Sequence, residues 1–386
     1  MKKITFIFLT ILSLYSCREY VIGQYPVDST SPSPISNPTV TNLPGKAVIS
    51  YSLPKDTDLL YVKAYYTKTD GTESSVIASS FNNSIELKGF GRSRKQQVRL
   101  VAVDRSKNES SPVTIEIEPE DADVYTVMES LSVSETWGGI RLTWDNPNAE
   151  PVFLYVNIVD PDGTVITDVI YSESPVGESF VRGLENIPYD FSVTARDTYN
   201  NYTTAFETRA TPWFEMQVPL KDCKVMPLGT GYSLSKWSNG NLFDNVWDAN
   251  KPYYIQAGKA NPYFTINLGG EYQLSRVIWW PRGQYYYQLH DPYHFQFWGT
   301  ADPAAAADPD NWEGWTLILD SYFHKPSGDD TPVTSEDLAF AKAGLEYAIP
   351  DDAPSLRYFR FRCLSTWSNS TGCTCEEIHF FGRPIE

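Results

Sequence analysis

Cysteine is scarce in this chain of 386 residues, with five in all, too few for a scaffold built on disulfides. Basic residues are also in deficit. Lys and Arg total 31 against 48 Asp and Glu, a formal net charge of −17, which repels polyphosphate, and no local basic run offsets it. Long apolar runs are missing beyond the N-terminus and mean hydropathy is −0.34, which excludes a polytopic helical membrane protein. Familiar catalytic signatures are missing too. There is no GxSxG, P-loop, GxGxxG or HExxH pattern, and Ser233 and Ser235 near Gly231 do not form a nucleophile elbow. What is present is apolar and aromatic: 41% hydrophobic and 14% aromatic residues, with 11 Trp and 25 Tyr, which excludes disorder. The length predicts two to four domains.

The one apolar run starts after Lys2 and Lys3, extends from Ile4 to Tyr15 and ends in Leu14-Tyr15-Ser16-Cys17. It reads as a secretory signal peptide over residues 1–16, too short to span a bilayer. The cleavage region resembles a bacterial lipobox, which implies lipidation of Cys17; an ordinary signal peptide leaving a free cysteine is the alternative. Several acyl chains, at about 0.8 kcal/mol per buried methylene, would anchor the protein firmly. Residues 17–37, rich in Ser and Pro, are expected to form a flexible tether.

Compared with itself, the chain repeats at 93 residues. Gly45 to Tyr51 and Pro54 align with Gly138 to Trp144 and Pro147, and Asp104 and Asn108 with Asp197 and Asn201, which points to duplication. Short alternating segments, such as Ala47 to Tyr51 and Phe153 to Val159, are broken by turn signals such as Asp70-Gly71 and Asp162-Gly163. Two sandwiches of immunoglobulin or fibronectin type III character are expected, over 38–119 and 120–212, with Tyr51 and Trp144 in their cores. They read as spacers.

From residue 213 the composition shifts, and eight of the 11 Trp lie at or after Trp237. The ordered motifs are Leu242 to Trp247, Tyr263 to Gly269, Leu274 to Ile278, Pro281-Arg282, Phe295 to Thr300, Arg357 to Phe361 and Glu376 to Gly382. This succession resembles the discoidin, or coagulation-factor type C, domain, whose carbohydrate-binding members share a galactose-binding-like jelly roll. The fold class expected for the chain is therefore all-β: two sandwiches followed by a discoidin-like jelly roll over 213–386. Phe264-Ile266-Leu268 and Phe359-Phe361 alternate with period two, as half-buried antiparallel strands do. The whole chain also resembles Gram-negative outer-membrane lipoproteins encoded with polysaccharide-uptake systems, which implies a place at the cell surface beside that machinery.

Sugars present an apolar C–H face and a rim of hydroxyls, so a site needs a flat aromatic beside a few fixed polar groups. The loops at one end of the expected jelly roll supply Trp237, Arg282, Tyr286, Tyr287, His290 and Trp367. Trp279, Trp298 and Trp315, in or beside strand-like runs, are expected in the core. His290 and His294 would share one face of a helix as a zinc pair, but Pro292 and the Gln/Tyr run argue against a helix, and no third ligand is evident.

The resembling family often holds a structural calcium ion with an Asp after the first strand and a Glu near the end, positions occupied here by Asp244 and Glu377. Calcium takes six to eight hard oxygens, which backbone carbonyls can complete. Asn245 stands where glycine is common; Asp244 as a cap on loop amides is the alternative. After lipidation four cysteines remain: Cys223, Cys363, Cys373 and Cys375. They allow three complete pairings. A bridge from Cys363 to Cys373 or Cys375, which flank the last hairpin, is favoured over one to Cys223.

These readings point to a non-catalytic surface lipoprotein that captures oligo- or polysaccharide. The alternatives are a structural lipoprotein docking on a transporter or host protein, and a glycan hydrolase with an unrecognised carboxylate pair.

Overall fold

The computed structural model describes residues 28–385 apart from Trp237, Asn239, Gly240, Ala249, Gly258 and Lys259. Cys17 and the signal peptide lie outside the described residues, as does Trp237. The fold is all-β.

The first sandwich contains β1 (Ser36–Leu43), β2 (Lys46–Ser52), β3 (Leu59–Thr67), β4 (Glu73–Ser79), β5 (Ser84–Lys88), β6 (Gln96–Asp104) and β7 (Val113–Ile117). A sheet ordered β1-β2-β5 faces one ordered β4-β3-β6-β7, the arrangement of a fibronectin type III-like sandwich. Alternation buries Ala47, Ile49 and Tyr51 of β2 against Val62, Ala64, Val98 and Leu100.

A helix, α1 (Asp123–Ser130), precedes the second sandwich of β8 (Ser132–Thr136), β9 (Gly139–Asp145), β10 (Val152–Val159), β11 (Val165–Ser172), β12 (Val176–Arg182), β13 (Tyr189–Asp197) and β14 (Phe206–Ala210). Its sheets, β8-β9-β12 and β11-β10-β13-β14, repeat the first order, and Trp144 is buried in its core. The repeated Asp and Asn build one turn twice. Asp104 Oδ1 accepts from the Asn108 backbone N–H at 2.9 Å and Asp197 Oδ1 from that of Asn201 at 2.9 Å, around the left-handed residues Lys107 and Asn200. The exits repeat as well: Gly45 N–H donates to the Glu120 carbonyl and Gly138 N–H to that of Trp213.

The tether expected over 17–37 is shorter than its composition implies. Asn108 Nδ2 donates to the carbonyls of Asp28 and Thr30, and Ile35 is buried in the first core. The apolar Ile35 draws the preceding segment onto the sandwich.

The third unit contains β15 (Met216–Gln217), β16 (Lys224–Val225), β17 (Tyr232–Leu234), β18 (Tyr253–Ala257), β19 (Tyr263–Trp280), β20 (Pro292–Thr300), α2 (Pro303–Ala307), β21 (Thr316–Tyr322), α3 (Ser335–Ala343), β22 (Leu345–Ala348), β23 (Leu356–Thr366), β24 (Cys373–Cys375) and β25 (Glu377–Pro384). A broad sheet, β15-β25-β19-β23-β20-β21, lies with a small one, β17-β18-β24. Phe264, Ile266, Trp279, Phe295, Phe297, Phe359, Phe361 and Phe380 form the core, with Trp279 stacked on Phe361 at 4.3 Å. Trp315 is buried, whereas Trp298 is only half-buried, because its position on β20 faces away from this core.

The second sandwich is pinned to the third unit by charge. Glu215 pairs with Arg276 at 2.8 Å, Arg276 with Glu346 at 2.9 Å, and Glu346 with Arg182 at 3.0 Å. Trp137 Nε1 donates to Asp351 at 2.8 Å.

Candidate functional site

The connection from β19 to β20 carries most of the polar groups expected at the site. Gln284, Tyr287 and Leu289 adopt left-handed φ of 66°, 61° and 54°, a conformation that costs non-glycine residues of order 1 kcal/mol or more each. Surrounding bonds hold the loop there. Asp291 accepts from the backbone N–H groups of Arg282 and Tyr287, both at 3.2 Å. Glu376 accepts from Gly283 N–H at 2.9 Å, and Ser368 Oγ from Leu289 N–H at 2.8 Å. Thr374 N–H donates to the His290 carbonyl, and Trp367 N–H to that of Asp291.

Asp291 is 1% exposed, and this burial holds its carboxyl well above the usual carboxylate range. His290 stacks on Tyr254 of β18, centroids 4.7 Å apart. Its Nε2 lies 2.9 Å from the Tyr254 hydroxyl and its Nδ1 2.7 Å from Ser370 Oγ. Burial, then the nearby Arg282 cation, lowers the imidazole's pKa. Both ring nitrogens are occupied within the protein, so His290 is a prop for Tyr254 and the loop. No group of three or more metal-ligating side chains occurs among the described residues, and His294 lies on β20, not on a helix.

The Arg282 guanidinium lies over the Tyr285 ring at 4.2 Å. Beyond it, Tyr286 borders a cleft of about 460 Å³ between this loop and α3, lined also by Gln284, Gln288, Val333, Leu338 and Lys342. Arg282, Tyr286 and His290 thus belong to one ordered loop. Tyr287 lines the same cleft, but most of it is taken up by the core. Its side chain is 6% exposed within the core, its ring packs against Phe323 and Trp367, and its hydroxyl donates to the Asp337 carbonyl. Trp367 is half-buried under the loop, edge-on to Tyr287 and Tyr293, so it supports the loop from beneath. Tyr254 was not foreseen. The signal was the pair Tyr253-Tyr254 in a strand, which sends one ring inward and the other toward the loop.

The two expected calcium ligands lie at adjoining segments: Asn245 N–H donates to Glu377 Oε1 at 3.3 Å and Ile378 N–H to the Leu242 carbonyl. Glu377 is 0% exposed, and its Oε2 has no hydrogen-bond partner. A buried carboxylate oxygen left bare is costly, and a hard cation would satisfy it. Asp244 is exposed and caps Val246 N–H at 3.0 Å, while Asn245 adopts the left-handed φ of 56° that its place in the motif demands. His379 Nε2 lies 3.1 Å from Glu377 Oε1, so Glu377 Oε2 is the oxygen left for a cation, while Asp244 acts here as the cap on loop amides.

The four cysteines of the third unit are unbridged thiols and buried. The neighbouring Cys363 thiol and burial hold the Cys373 thiol well above its usual range, and burial pushes that of Cys223 up to about 12.

Three family models, each a domain of unknown function, match the chain: DUF4959 at residues 32–119, DUF5126 at 120–221 and DUF5000 at 243–382. Among curated proteins no relative matches. Among solved structures, a SusE-like protein is 27% identical, covering 67% of this chain and 98% of its own, with a TM-score of 0.42. The module CBM32-3 from a family 31 glycoside hydrolase of Clostridium perfringens is 17% identical, covering 43% of this chain and 95% of its own, at a TM-score of 0.32. A two-domain fibronectin type III segment of chicken tenascin is 14% identical, covering 46% and 99%, at 0.24.

Proposed function

We propose that this chain is a non-catalytic glycan-binding lipoprotein, anchored through Cys17 at the outer membrane with its third unit turned to the cell surface. The single observation that carries the binding role is the β19–β20 loop. Three left-handed non-glycine residues lie in a loop held by six hydrogen bonds, four accepted by the side chains of Asp291, Glu376 and Ser368 and two donated by the backbone of Trp367 and Thr374, and the loop borders a cleft with an aromatic ring, two amides and an ammonium group. Strain maintained in this way is characteristic of sites that must be preformed. Tyr286 would take the C–H face of a sugar, while Gln284, Gln288 and Lys342 would meet its hydroxyls. The nearby carboxylates Asp291 and Glu376 already accept backbone N–H groups, which favours binding over turnover.

If calcium is bound, Glu377, Asp244 and neighbouring carbonyls would hold it, and it would supply charge to neutralise Glu377 rather than contact the sugar. An oligo- or polysaccharide is the ligand we assign, and glycan-uptake machinery in the same membrane the natural neighbour.

A glycan array probed with the mature chain tests this directly. Binding to a defined glycan, lost in Tyr286→Ala without release of reducing ends by the wild type, is the expected outcome; a flat array overturns it.

The protein-docking alternative has its own observation. The edge strand β11 exposes Val165, Ile166, Val169 and Tyr171, and an unpaired apolar edge can accept a strand from a partner.

A further inference from the structure

We propose that the outer face of the β23-β20-β21 region of the broad sheet is a second glycan-binding surface, suited to a neutral chain, an inference that rests on the glycan reading above. Phe295, Phe297 and Phe361 point into the core, so alternation sends His294, Gln296 and Trp298 of β20, and Arg362 of β23, to the opposite face. Register places Arg362 beside Gln296 and Gln296 beside Asp320, with His294 beside Tyr322.

Side chains on an open sheet face are ordinarily solvated and mobile. These are held to one another. His294 stacks on Tyr322 at 4.3 Å with planes 10° apart, and Tyr322 on His324 at 5.4 Å and 18°. Trp298 Nε1 donates to Gln296 Oε1 at 3.1 Å and Gln296 Nε2 to Asp320 Oδ2 at 2.7 Å, while His294 Nε2 lies 2.6 Å from Asp320 Oδ1. Asp329 holds the far end, 2.5 Å from His324 Nδ1 and accepting from the Tyr293 hydroxyl at 2.9 Å. At the other end Trp312 stands edge-on to Trp298 at 5.3 Å, under the Arg362 guanidinium at 5.1 Å. Tyr322 nevertheless remains 41% exposed.

Rings in fixed planes, flanked by an amide and a carboxylate with hydrogen-bonding capacity left over, match a sugar's C–H faces and hydroxyl rim. Because the side chains are already ordered, little entropy is lost when a ligand settles on them. The charges choose among ligands. His294 and His324 each face a carboxylate, Asp320 and Asp329, and Arg362 lies beside them, so the patch carries no excess of positive charge that would draw a polyanion. The chain as a whole carries −17 and repels polyanions, which leaves a neutral glycan as the complementary occupant. From Pro292 to Trp298 the strand runs roughly 20 Å, long enough to meet a chain rather than one terminal sugar.

The test is affinity electrophoresis of the mature chain through gels containing galactomannan, xyloglucan, arabinogalactan or pullulan, with alginate as the charged control. Tyr322→Ala and, independently, Gln296→Ala are compared with Tyr286→Ala, and melting curves verify folding. The expected result is retention by a neutral polymer, weakened about tenfold by either face variant, with a further loss when Tyr286→Ala is added. Should both face variants migrate as wild type while Tyr286→Ala releases the protein, the face is not a site and the loop reading stands. Retention by none of the polymers overturns both. Self-association of the wild type abolished by Tyr322→Ala would instead make this face a contact between copies and overturn the proposal.

Discussion

The Asp291 carboxylate bridges the β19–β20 loop to its start, accepting the Arg282 N–H at 3.2 Å on one oxygen while the other accepts that of Tyr287. Where the group is ionised, both oxygens act as acceptors, a role an amide can fill only once. Asp291→Asn should therefore turn an N–H against an N–H, cost about 1–3 kcal/mol and weaken glycan binding by releasing the loop. The pH dependence has a definite sign. Burial raises the carboxyl above 3.8 in the folded state, so folding favours its protonated form, and that contribution is complete below the unfolded pKa. It is lost as pH rises through the folded value. Urea titrations across that window should show a flatter stability curve for Asp291→Asn than for wild type; parallel curves would remove Asp291 from the account.

Glu377 carries the calcium prediction. A chelator should lower the melting temperature of wild type but leave Glu377→Gln and Asp244→Ala unmoved. An ion at a hundred times its Kd adds about 2.7 kcal/mol, readily seen by calorimetry. Identical wild-type curves with and without chelator would exclude the ion.

Trp367 is expected to act on folding as well as binding. Its ring lies against Tyr287, Tyr293 and Phe323, so Trp367→Ala should destabilise by about 2 kcal/mol, below the 3–5 of a fully buried aromatic. Tyr286→Ala should weaken binding with little change in melting. Equal stability losses in the two would count against assigning them different roles.

The Arg276–Glu215 pair is largely buried, with side chains 10% and 6% exposed. Glu215→Gln leaves that guanidinium with Glu346 as its one carboxylate partner and should cost about 1.5–3 kcal/mol. Calorimetry should show the third unit's transition moved down, while Arg182 and Trp137 still hold Glu346 and Asp351 across the junction. An unshifted transition would show that the third unit does not depend on the pair.

Much of the architecture was legible because it depends on local periodicity. Alternation placed Ile49 and Tyr51 inward, and the Asp104/Asn108 and Asp197/Asn201 spacings each encode a turn within five residues. Ile35 and α1 escaped notice because a single apolar residue beside prolines, or one short helix, has no period to read.

The sequence by itself determined the two copies of one sandwich, the aromatic third unit, and the loop that contains Arg282, Tyr286 and His290, since strand alternation and turn chemistry are properties of neighbouring residues. Only the tertiary structure decided which way each loop ring faces. Tyr286 and Tyr287 are adjacent and chemically identical and both line the cleft, yet packing against Phe323 and Trp367 and a bond to the Asp337 carbonyl bury Tyr287 and leave Tyr286 the more open of the two. The same holds for the outer sheet face, where His294, Asp320, Tyr322 and Arg362 come from three strands and meet only through cross-strand register, a relation between residues far apart in the chain.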